Sequence, residues 1–299
     1  MSAAAHKALH SPLRAAARLS LYGVFTLLCI PVQALLLLSG LSWRDSFPHW
    51  YHRRCCRLLG FRVNVTGVKR GNGAPPLLVC NHVSYLDIIV LAAVMPCSFV
   101  AKAEVARWPF FGLLAKLQRT VFIERRTARA ADSSRQIRTR LAKGDRIVLF
   151  AEGTSSDGNR VLPFKSSLFA VAQGDEGNPS VTVQPVTIAA TDLDGMPMGR
   201  GLRPLYAWYG AMTLPDHLWA VAGLGRVGVE VRFHEPIPPR RYKSRKALAK
   251  ATHEAVANGL SAALSGRARG TEEAASRDAK TTAPIATANT RQRGPAMLS

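Results

Sequence analysis

Residues 76–94 have the sequence PLLVCNHVSYLDIIVLAAV, in which a short polar segment beginning at Asn81 separates two apolar runs. The first run, 76–80, has the length and apolar character of a buried strand. The second run follows Ser84, a residue type favoured at helix N-caps, and predicts a helix over 84–94. Strand and helix in direct succession are typical of α/β folds, in which ligands bind where strands end.

The rest of the chain repeats this alternation. We expect strands over 61–66, 98–102, 120–124, 146–151, 181–189 and 227–234, and helices over 108–117, 127–143, 166–172 and 242–264. The fold class is therefore α/β, with a mainly parallel sheet flanked by helices. Pro185 lies inside one of the apolar strands and predicts that this strand is an edge strand or carries a bulge.

The N-terminal region is apolar from 19 to 41, a length sufficient to cross a bilayer. Basic residues lie both before and after this run, so the positive-inside rule favours a cytoplasmic position for both ends. Pro31, in the middle of the run, predicts a kink or a break. We expect two apolar helices within 15–59 that dip into one leaflet, with a single span and a buried core helix as the alternatives.

These features divide the chain into a membrane-anchor region (1–59), a domain large enough for one α/β fold (60–265) and a tail (266–299). The tail is poor in large apolar residues and is predicted to be disordered. The formal net charge of +21 implies an anionic partner, which can be nucleic acid, anionic lipid, or an acidic carrier or substrate. The five cysteines match no zinc or redox spacing and are interpreted as reduced thiols.

His82 and Asp87 form the first candidate site. His82 follows a predicted strand, and Asp87 lies in the first turn of the predicted helix, so its carboxylate can fold back to the imidazole ring. A carboxylate on one ring nitrogen fixes the tautomer and lets the other nitrogen take a proton from a hydroxyl. Ser84-x-x-Asp87 is also a capping box in form, so these residues alone leave open whether Asp87 only caps the helix.

Two further polar segments follow predicted strands. Residues 122–126, FIERR, end in arginines, which can bind a phosphate or a carboxylate. Residues 150–158, FAEGTSSDG, combine hydroxyl groups with Gly153, which allows a ligand close to the backbone, and Lys165 adds a cation farther on. Taken alone, the first segment is also typical of a solvated charge run and the second of a turn.

In their order along the chain, these segments resemble the four sequence blocks of the glycerolipid acyltransferase family, whose best-known members acylate lysophosphatidic acid. The first block, Asn-His-x4-Asp, is matched by Asn81, His82 and Asp87. The second is similar to 122–125, the third to 150–155, and the fourth centres on a proline, here Pro185. The resemblance covers about 76–236 and implies the mainly parallel α/β fold of that family.

The resemblance also implies a mechanism of direct acyl transfer. His82 would act as general base on the hydroxyl of a lysolipid, and Asp87 would orient and stabilise His82. The alkoxide would attack the thioester of acyl-ACP or acyl-CoA, with no acyl-enzyme, cofactor or metal. The implied substrate-binding residues are Arg125, Glu152, Gly153, Thr154, Ser155 and Lys165.

Ser155 is the departure that bears on the acceptor, because family members with phosphate acceptors have an arginine at this position. The bacterial branch that acylates lyso-ornithine lipid is more similar to this chain at residues 154–160, 163–167, 206–210 and 217–219. The resemblance therefore favours lyso-ornithine lipid, with lysophosphatidic acid as the alternative. It implies a bacterial inner membrane with the catalytic domain on the cytoplasmic face, and no nucleic-acid partner.

Other function classes fit the sequence less well. A nucleic-acid-binding protein would suit the charge, but no recognised motif is present. A serine hydrolase would need Gly-x-Ser-x-Gly after a strand, and the chain has none. Residues 223–228, GLGRVG, match a dinucleotide-binding pattern but precede a predicted strand instead of a helix. The presence of both His82 and Asp87 argues against a non-catalytic scaffold.

Overall fold

A computed structural model describes residues 9–68, 75–124, 127–174 and 180–266. The α-helices are α1 (Pro12–Ser39), α2 (Trp43–Leu59), α3 (Leu86–Val94), α4 (Phe111–Leu117), α5 (Thr127–Ala142), α6 (Leu214–Ala222) and α7 (Arg245–Leu264). The strands are β1 (Phe61–Gly67), β2 (Leu77–Cys80), β3 (Ser98–Lys102), β4 (Val121–Ile123), β5 (Ile147–Phe150), β6 (Val183–Leu193), β7 (Met196–Pro197) and β8 (Val227–Phe233).

The strands form one sheet in the order β1-β8-β6-β2-β5-β3-β4, with β7 paired to β6. The main strands are parallel to their neighbours except at one pairing, where β8 runs antiparallel to β6. This arrangement confirms the predicted α/β class with a mainly parallel sheet.

Apolar side chains cover both faces of the sheet. Along β2, Leu78 and Cys80 belong to one buried cluster, and Leu77 and Val79 belong to another. The first cluster includes residues of α2 and α3, and the second includes residues of α5 and α7. The sheet therefore carries helices on both faces, which explains why its central strands are continuously apolar.

Pro185 lies in the middle of the sheet, because β6 pairs with both β2 and β8. The prediction of an edge strand is therefore wrong, and the irregularity of β6 lies farther on, between Ala190 and Asp192. The backbone N–H of His234 donates to the Pro185 oxygen (3.0 Å), and the His234 oxygen accepts instead from Nε2 of Gln184 (3.1 Å). The side chain of Gln184 thus supplies the hydrogen bond that a proline nitrogen cannot make.

Helix α1 continues through Pro31, so the predicted break is wrong. Contacts on both sides of the proline hold the helix on the domain: Thr26 Oγ1 bonds Tyr51 Oη (2.8 Å), and Gln33 Nε2 donates to the carbonyl oxygens of Arg44 (3.0 Å) and Leu117 (3.1 Å). By length and composition α1 could cross a membrane.

The second N-terminal helix is not apolar as predicted. Helix α2 carries several arginines, and it packs on α3 through buried residues such as Cys55 and Cys56. Two smaller corrections concern other helices. Helix α3 begins at Leu86 with Tyr85, not Ser84, at its N-cap, and residues Ser166–Val171 form a 3₁₀ helix. The tail beyond residue 266 lies outside the described residues.

Candidate active site

The candidate site lies at the end of β2, where Asn81 fixes the chain to the neighbouring strand. Its side chain pairs with the backbone of Ile188 in β6, donating from Nδ2 to the oxygen and accepting at Oδ1 from the N–H (both 2.9 Å). Asn81 is fully buried, so these hydrogen bonds are shielded from water. The next residue, His82, is thereby held at the carboxyl end of the sheet.

His82 and Asp87 are in direct contact, with 2.9 Å between Nδ1 and Oδ2. The Asp87 carboxylate is fully buried, and Oδ2 also accepts from the backbone N–H groups of Val83 (2.7 Å) and Ser84 (2.9 Å). Asp87 therefore holds both the histidine ring and the backbone just before α3. Its interpretation as the partner of His82 and its interpretation as a helix-capping residue are compatible. With a carboxylate at Nδ1, the geometry favours a proton on Nδ1 and a free lone pair on Nε2.

The imidazole of His82 is packed but reachable from solvent, its side chain being 21% exposed. One face of the ring stacks on Phe150, the last residue of the neighbouring strand β5, with 4.1 Å between ring centroids. Within the described part of the chain, Nε2 has no hydrogen-bond partner. The site therefore offers an oriented base whose reactive nitrogen is available to a substrate hydroxyl.

Glu152 holds the backbone on the other side of His82. Its buried carboxylate accepts from the N–H of His82 at Oε1 (2.7 Å) and from the N–H of Leu162 at Oε2 (2.9 Å). Burial raises the pKa of Glu152 to about 8, although both backbone donors oppose the shift. The described contacts give Glu152 a positioning role, and the predicted contact with the acceptor stays a prediction.

The loop after Glu152 wraps around His82. Gly153 has φ +67°, and a Cβ there would lie 2.7 Å from Nζ of Lys165, so these two predicted residues are adjacent. Thr154 is exposed, whereas the Ser155 hydroxyl donates to the backbone oxygen of Trp208. Arg125, also predicted to bind substrate, lies outside the described residues.

One wall of the site was not predicted to have a role. Tyr206 is fully buried and donates from its hydroxyl to Oδ1 of Asp87 (3.2 Å), and the N–H of Trp208 donates to the oxygen of Val83 (2.9 Å). The sequence signal for this wall is the aromatic segment 206–210, whose similarity to the lyso-ornithine lipid branch does not assign a role to any of its side chains. We call residues 203–208 the active-site wall.

An apolar cavity of ≈170 Å³ opens beside the site. Tyr85, three residues after His82, lines it, and its hydroxyl bonds Nδ1 of His217 (3.1 Å). The cavity lies between α1, α2, α4 and α6, and its lining includes Ile30, Phe47, Ile88, Trp108, Phe111, Leu114 and Leu218. A site with a polar base and an adjacent apolar cavity suits a substrate with a long hydrocarbon chain.

In the described ranges, no group of three or more His, Cys, Asp or Glu side chains is placed to hold a metal ion. All five cysteines are free thiols.

Comparison with known proteins places the chain among lipid acyltransferases. A family model described as Acyltransferase matches residues 62–189. The chain is 48% identical over 242 residues to the lyso-ornithine lipid O-acyltransferase of Brucella abortus, a match that covers 80% of this chain and 90% of that protein. It is 44% identical over 248 residues to the enzyme of the same name from Rhizobium meliloti, covering 82% and 85%.

More distant similarity extends to enzymes with another acceptor in their names. The chain is 35% identical over 176 residues to the 1-acyl-sn-glycerol-3-phosphate acyltransferase of Neisseria gonorrhoeae, covering 58% of this chain and 64% of that one. The crystal structure of the 1-acyl-sn-glycerophosphate acyltransferase of Thermotoga maritima matches with a TM-score of 0.56 and 23% identity, over 83% of this chain and 96% of that one. This last match supports the fold alone.

Proposed function

The chain belongs to the acyltransferase family that includes these lyso-ornithine lipid O-acyltransferases, and from that membership we propose that it acylates the free hydroxyl of lyso-ornithine lipid. The observation that carries the proposal is the contact between His82 and Asp87, which leaves Nε2 of the histidine available. The thioester donor is acyl-ACP or acyl-CoA. Lysophosphatidic acid is the alternative acceptor, supported by the more distant Neisseria relative.

In the proposed reaction, Nε2 of His82 takes the proton of the acceptor hydroxyl. The resulting alkoxide attacks the carbonyl carbon of the thioester, and the new C–O bond forms as the C–S bond breaks. The leaving thiolate takes the proton back from the imidazolium, which restores His82. Asp87 stabilises the charged imidazolium and fixes its ring, and a positioned general base of this kind typically contributes ~10²–10⁴-fold to the rate.

The apolar cavity beside Tyr85 is proposed to hold the hydrocarbon chain of one substrate. Its lining is almost entirely apolar, so the transfer of a hydrocarbon chain from water into the cavity is favourable. Because Tyr85 belongs to the same short segment as His82, a chain held in the cavity would bring its attached group to the base. Binding both substrates in one orientation supplies much of the remaining acceleration.

We propose that α1 attaches the enzyme to the inner membrane, with the site on the cytoplasmic face. Leucines on its outer side are exposed, for example Leu28 and Leu38, whereas Thr26 and Gln33 are buried against the domain. A helix held on the domain by contacts along its length fits insertion into one leaflet better than a separate span. The division into an anchor region (1–59), an acyltransferase domain (60–265) and a tail (266–299) remains part of this proposal.

A paired acceptor assay tests the proposed function. The purified full-length chain in detergent receives a labelled acyl donor and either lyso-ornithine lipid or lysophosphatidic acid at equal concentration. We expect faster acylation of lyso-ornithine lipid. Faster acylation of lysophosphatidic acid would establish the alternative acceptor, and no acylation of either lipid would contradict the proposal.

A further inference from the structure

Opposite charges are held apart by a single amide at the rim of the active site. The Asn159 side chain accepts from Nη1 of Arg203 at Oδ1 (2.9 Å) and donates from Nδ2 to Oδ2 of Asp157 (3.0 Å). The backbone N–H of Asn159 also donates to Oδ1 of Asp157 (3.0 Å). We call Asp157, Asn159 and Arg203 the rim cluster. Within the described ranges, Asp157 and Arg203 make no direct ion pair with each other.

Both charged members of the rim cluster retain capacity for a ligand. Nη1 of Arg203 bonds Asn159, whereas Nη2 has no hydrogen-bond partner among the described residues and can donate to a ligand at the rim. Burial raises the pKa of Asp157, but hydrogen bonds from Asn159 and the charges of Arg160 and Arg200 outweigh it and hold this pKa below its usual range. Asp157 is therefore an ionised carboxylate at neutral pH.

The rim cluster lies beside the catalytic pair. The N–H of Ser156, next to Asp157, donates to the backbone oxygen of His82 (2.9 Å). A Cβ on Gly158 would lie 3.2 Å from Cγ1 of Val83 and 3.8 Å from Cβ of Arg203, so the loop, the wall and the residue after His82 meet at this point. Arg203 begins the active-site wall, which also carries the tyrosine that binds Asp87.

The charge pattern indicates what kind of headgroup fits. A phosphate would be attracted by Arg203 and by Arg160 and Arg200 near Asp157, but it carries no cation for the Asp157 carboxylate. A group that carries both charges can bind Arg203 and Asp157 together. The Ser155 hydroxyl donates its proton to the Trp208 oxygen in the active-site wall, so this proton is not available to an anionic headgroup. Ornithine linked through its α-amino group keeps an α-carboxylate and a δ-ammonium on one short chain.

We propose that the rim cluster binds a zwitterionic acceptor headgroup, with Arg203 holding its carboxylate and Asp157 holding its ammonium group. This proposal rests on the proposed function. Asn159 is a positioning residue that sets the separation between the two charges. The cluster thereby favours lyso-ornithine lipid over lysolipids that carry only negative charge.

The sharpest test changes the substrate instead of the protein. The wild-type chain is assayed with lyso-ornithine lipid and with the same lipid acetylated on its δ-amine, which removes the positive charge. We expect KM to rise about tenfold on acetylation while kcat changes by less than about twofold, because hydrogen bonds to charged groups contribute this much to binding. Equal KM values for the two lipids would overturn the proposal.

Variants assign the two charges to their residues. Asp157→Asn is expected to raise KM for lyso-ornithine lipid about tenfold and to leave KM for the acetylated lipid unchanged. Arg203→Gln is expected to raise KM for both lipids. Lys250→Gln and Glu254→Gln, which remove an exposed ion pair on α7, are matched controls for the loss of one charge.

Several outcomes separate this proposal from the proposed function. If the wild type acylates lyso-ornithine lipid but Asp157→Asn affects the native and acetylated lipids equally, the rim cluster is only structural and this proposal fails alone. If the wild type acylates neither lyso-ornithine lipid nor its acetylated form, the proposed function fails first. Thermal unfolding midpoints of the variants show whether a loss of activity reflects a loss of fold.

Discussion

At Asp87, the hydrogen bonds of the candidate site meet. Its buried carboxylate accepts from the His82 ring, from the N–H groups of Val83 and Ser84, and from the hydroxyl of Tyr206. The two oxygens of a carboxyl group have enough acceptor capacity for all of these donors. The same residue therefore orients the base and supports the fold around it.

The first prediction follows from that acceptor capacity. Asp87→Asn places an amide NH₂ against at least one of these donors, so we expect kcat to fall by ~10²–10⁴-fold, as for loss of an oriented general base. The thermal unfolding midpoint should fall as well, because a buried donor loses its acceptor. Full activity of Asp87→Asn would contradict the role given to this carboxylate.

The second prediction concerns Tyr206. Tyr206→Phe keeps the ring and removes the hydroxyl that donates to Asp87, so the free energy of unfolding should fall by about 1–3 kcal/mol. Chemical denaturation measures this change. Tyr242→Phe is the matched control, because the Tyr242 hydroxyl makes no hydrogen bond to the described residues. Equal losses in the two variants would mean that the bond to Asp87 contributes nothing.

A third prediction uses the raised pKa of Glu152. Burial raises this pKa from 4.5 to about 8, so ionising Glu152 destabilises the fold. The stability that the protonated carboxyl contributes below pH 4.5 is lost progressively as the pH rises through about 8. Glu152→Gln does not titrate, so its stability relative to wild type should improve between about pH 5 and about pH 8. Urea unfolding at both pH values tests this, and a constant difference would contradict the raised pKa.

Contacts between residues close in the sequence could be predicted from their spacing, whereas contacts between distant residues could not. His82 and Asp87 are five positions apart, so a strand-to-helix turn brings them together. Tyr206 lies 119 positions from Asp87, and only the tertiary fold brings its hydroxyl to the carboxylate. The direction of the Ser155 hydroxyl, toward the wall instead of a ligand, was equally inaccessible to sequence reasoning.

Among the elements, α1 depends most on contacts with other parts of the chain. The guanidinium of Arg18 donates to the carbonyl oxygens of Ala222 (3.1 Å), Leu224 (2.8 Å) and Gly225 (3.2 Å), at and just after the end of α6. These carbonyls have no partners within their own helix, and a cation is favoured at a helix C-terminus. Arg18 thus joins the apolar helix α1 to the C-terminal end of α6.

The fourth prediction tests this junction. Arg18→Met keeps most of the apolar stem and removes the donors, so we expect the free energy of unfolding to fall by about 1–3 kcal/mol. Arg14→Met is the matched control, because Arg14 makes one longer side-chain hydrogen bond, to the Gly223 oxygen (3.5 Å). If both variants lose the same stability, the three carbonyl contacts are not what holds α1.

The elements themselves were largely predictable from periodicity, and the exceptions have physical causes. Helix α6 was not predicted, although Thr213 followed by a proline in the first helical turn is a helix-start signal. Pro31 was expected to kink or break its helix, but α1 continues through it and is held on the domain by the bonds of Gln33 to the carbonyl oxygens of Arg44 and Leu117. Pro185 was expected to mark an edge or a bulge, but the side chain of Gln184 donates to the His234 oxygen in the neighbouring strand. The antiparallel pairing of β8 with β6 could not be predicted, because a local pattern does not specify a strand's partner.

Over the whole molecule, charge and exposed apolar surface point to the same partner. The chain carries a net charge of +21, and the outer side of α1 exposes leucines to the surroundings. An anionic bilayer satisfies both features, since basic residues near its surface gain about 1 kcal/mol each. The net charge and α1 are both consistent with the membrane attachment that we propose.

The fifth prediction separates these two contributions. Binding of the full chain to anionic vesicles should weaken when salt is raised from about 0.05 M to about 0.5 M, because screening shortens the reach of the charges. Binding should not disappear, because insertion of the α1 leucines is not screened. Flotation with anionic and neutral vesicles measures the electrostatic and the hydrophobic contributions to binding. Complete release at high salt would contradict insertion of α1.

The central claim is that His82 deprotonates the hydroxyl of lyso-ornithine lipid for direct acylation, and one measurement tests it most directly. Wild type, His82→Ala and His253→Ala, a matched histidine on α7, are supplied with labelled acyl-ACP and lyso-ornithine lipid, and ornithine lipid is quantified by mass spectrometry. We predict product with wild type and His253→Ala, and a loss of ~10²–10⁴-fold with a folded His82→Ala. Undiminished product from His82→Ala, or no product from the wild type, would contradict the account.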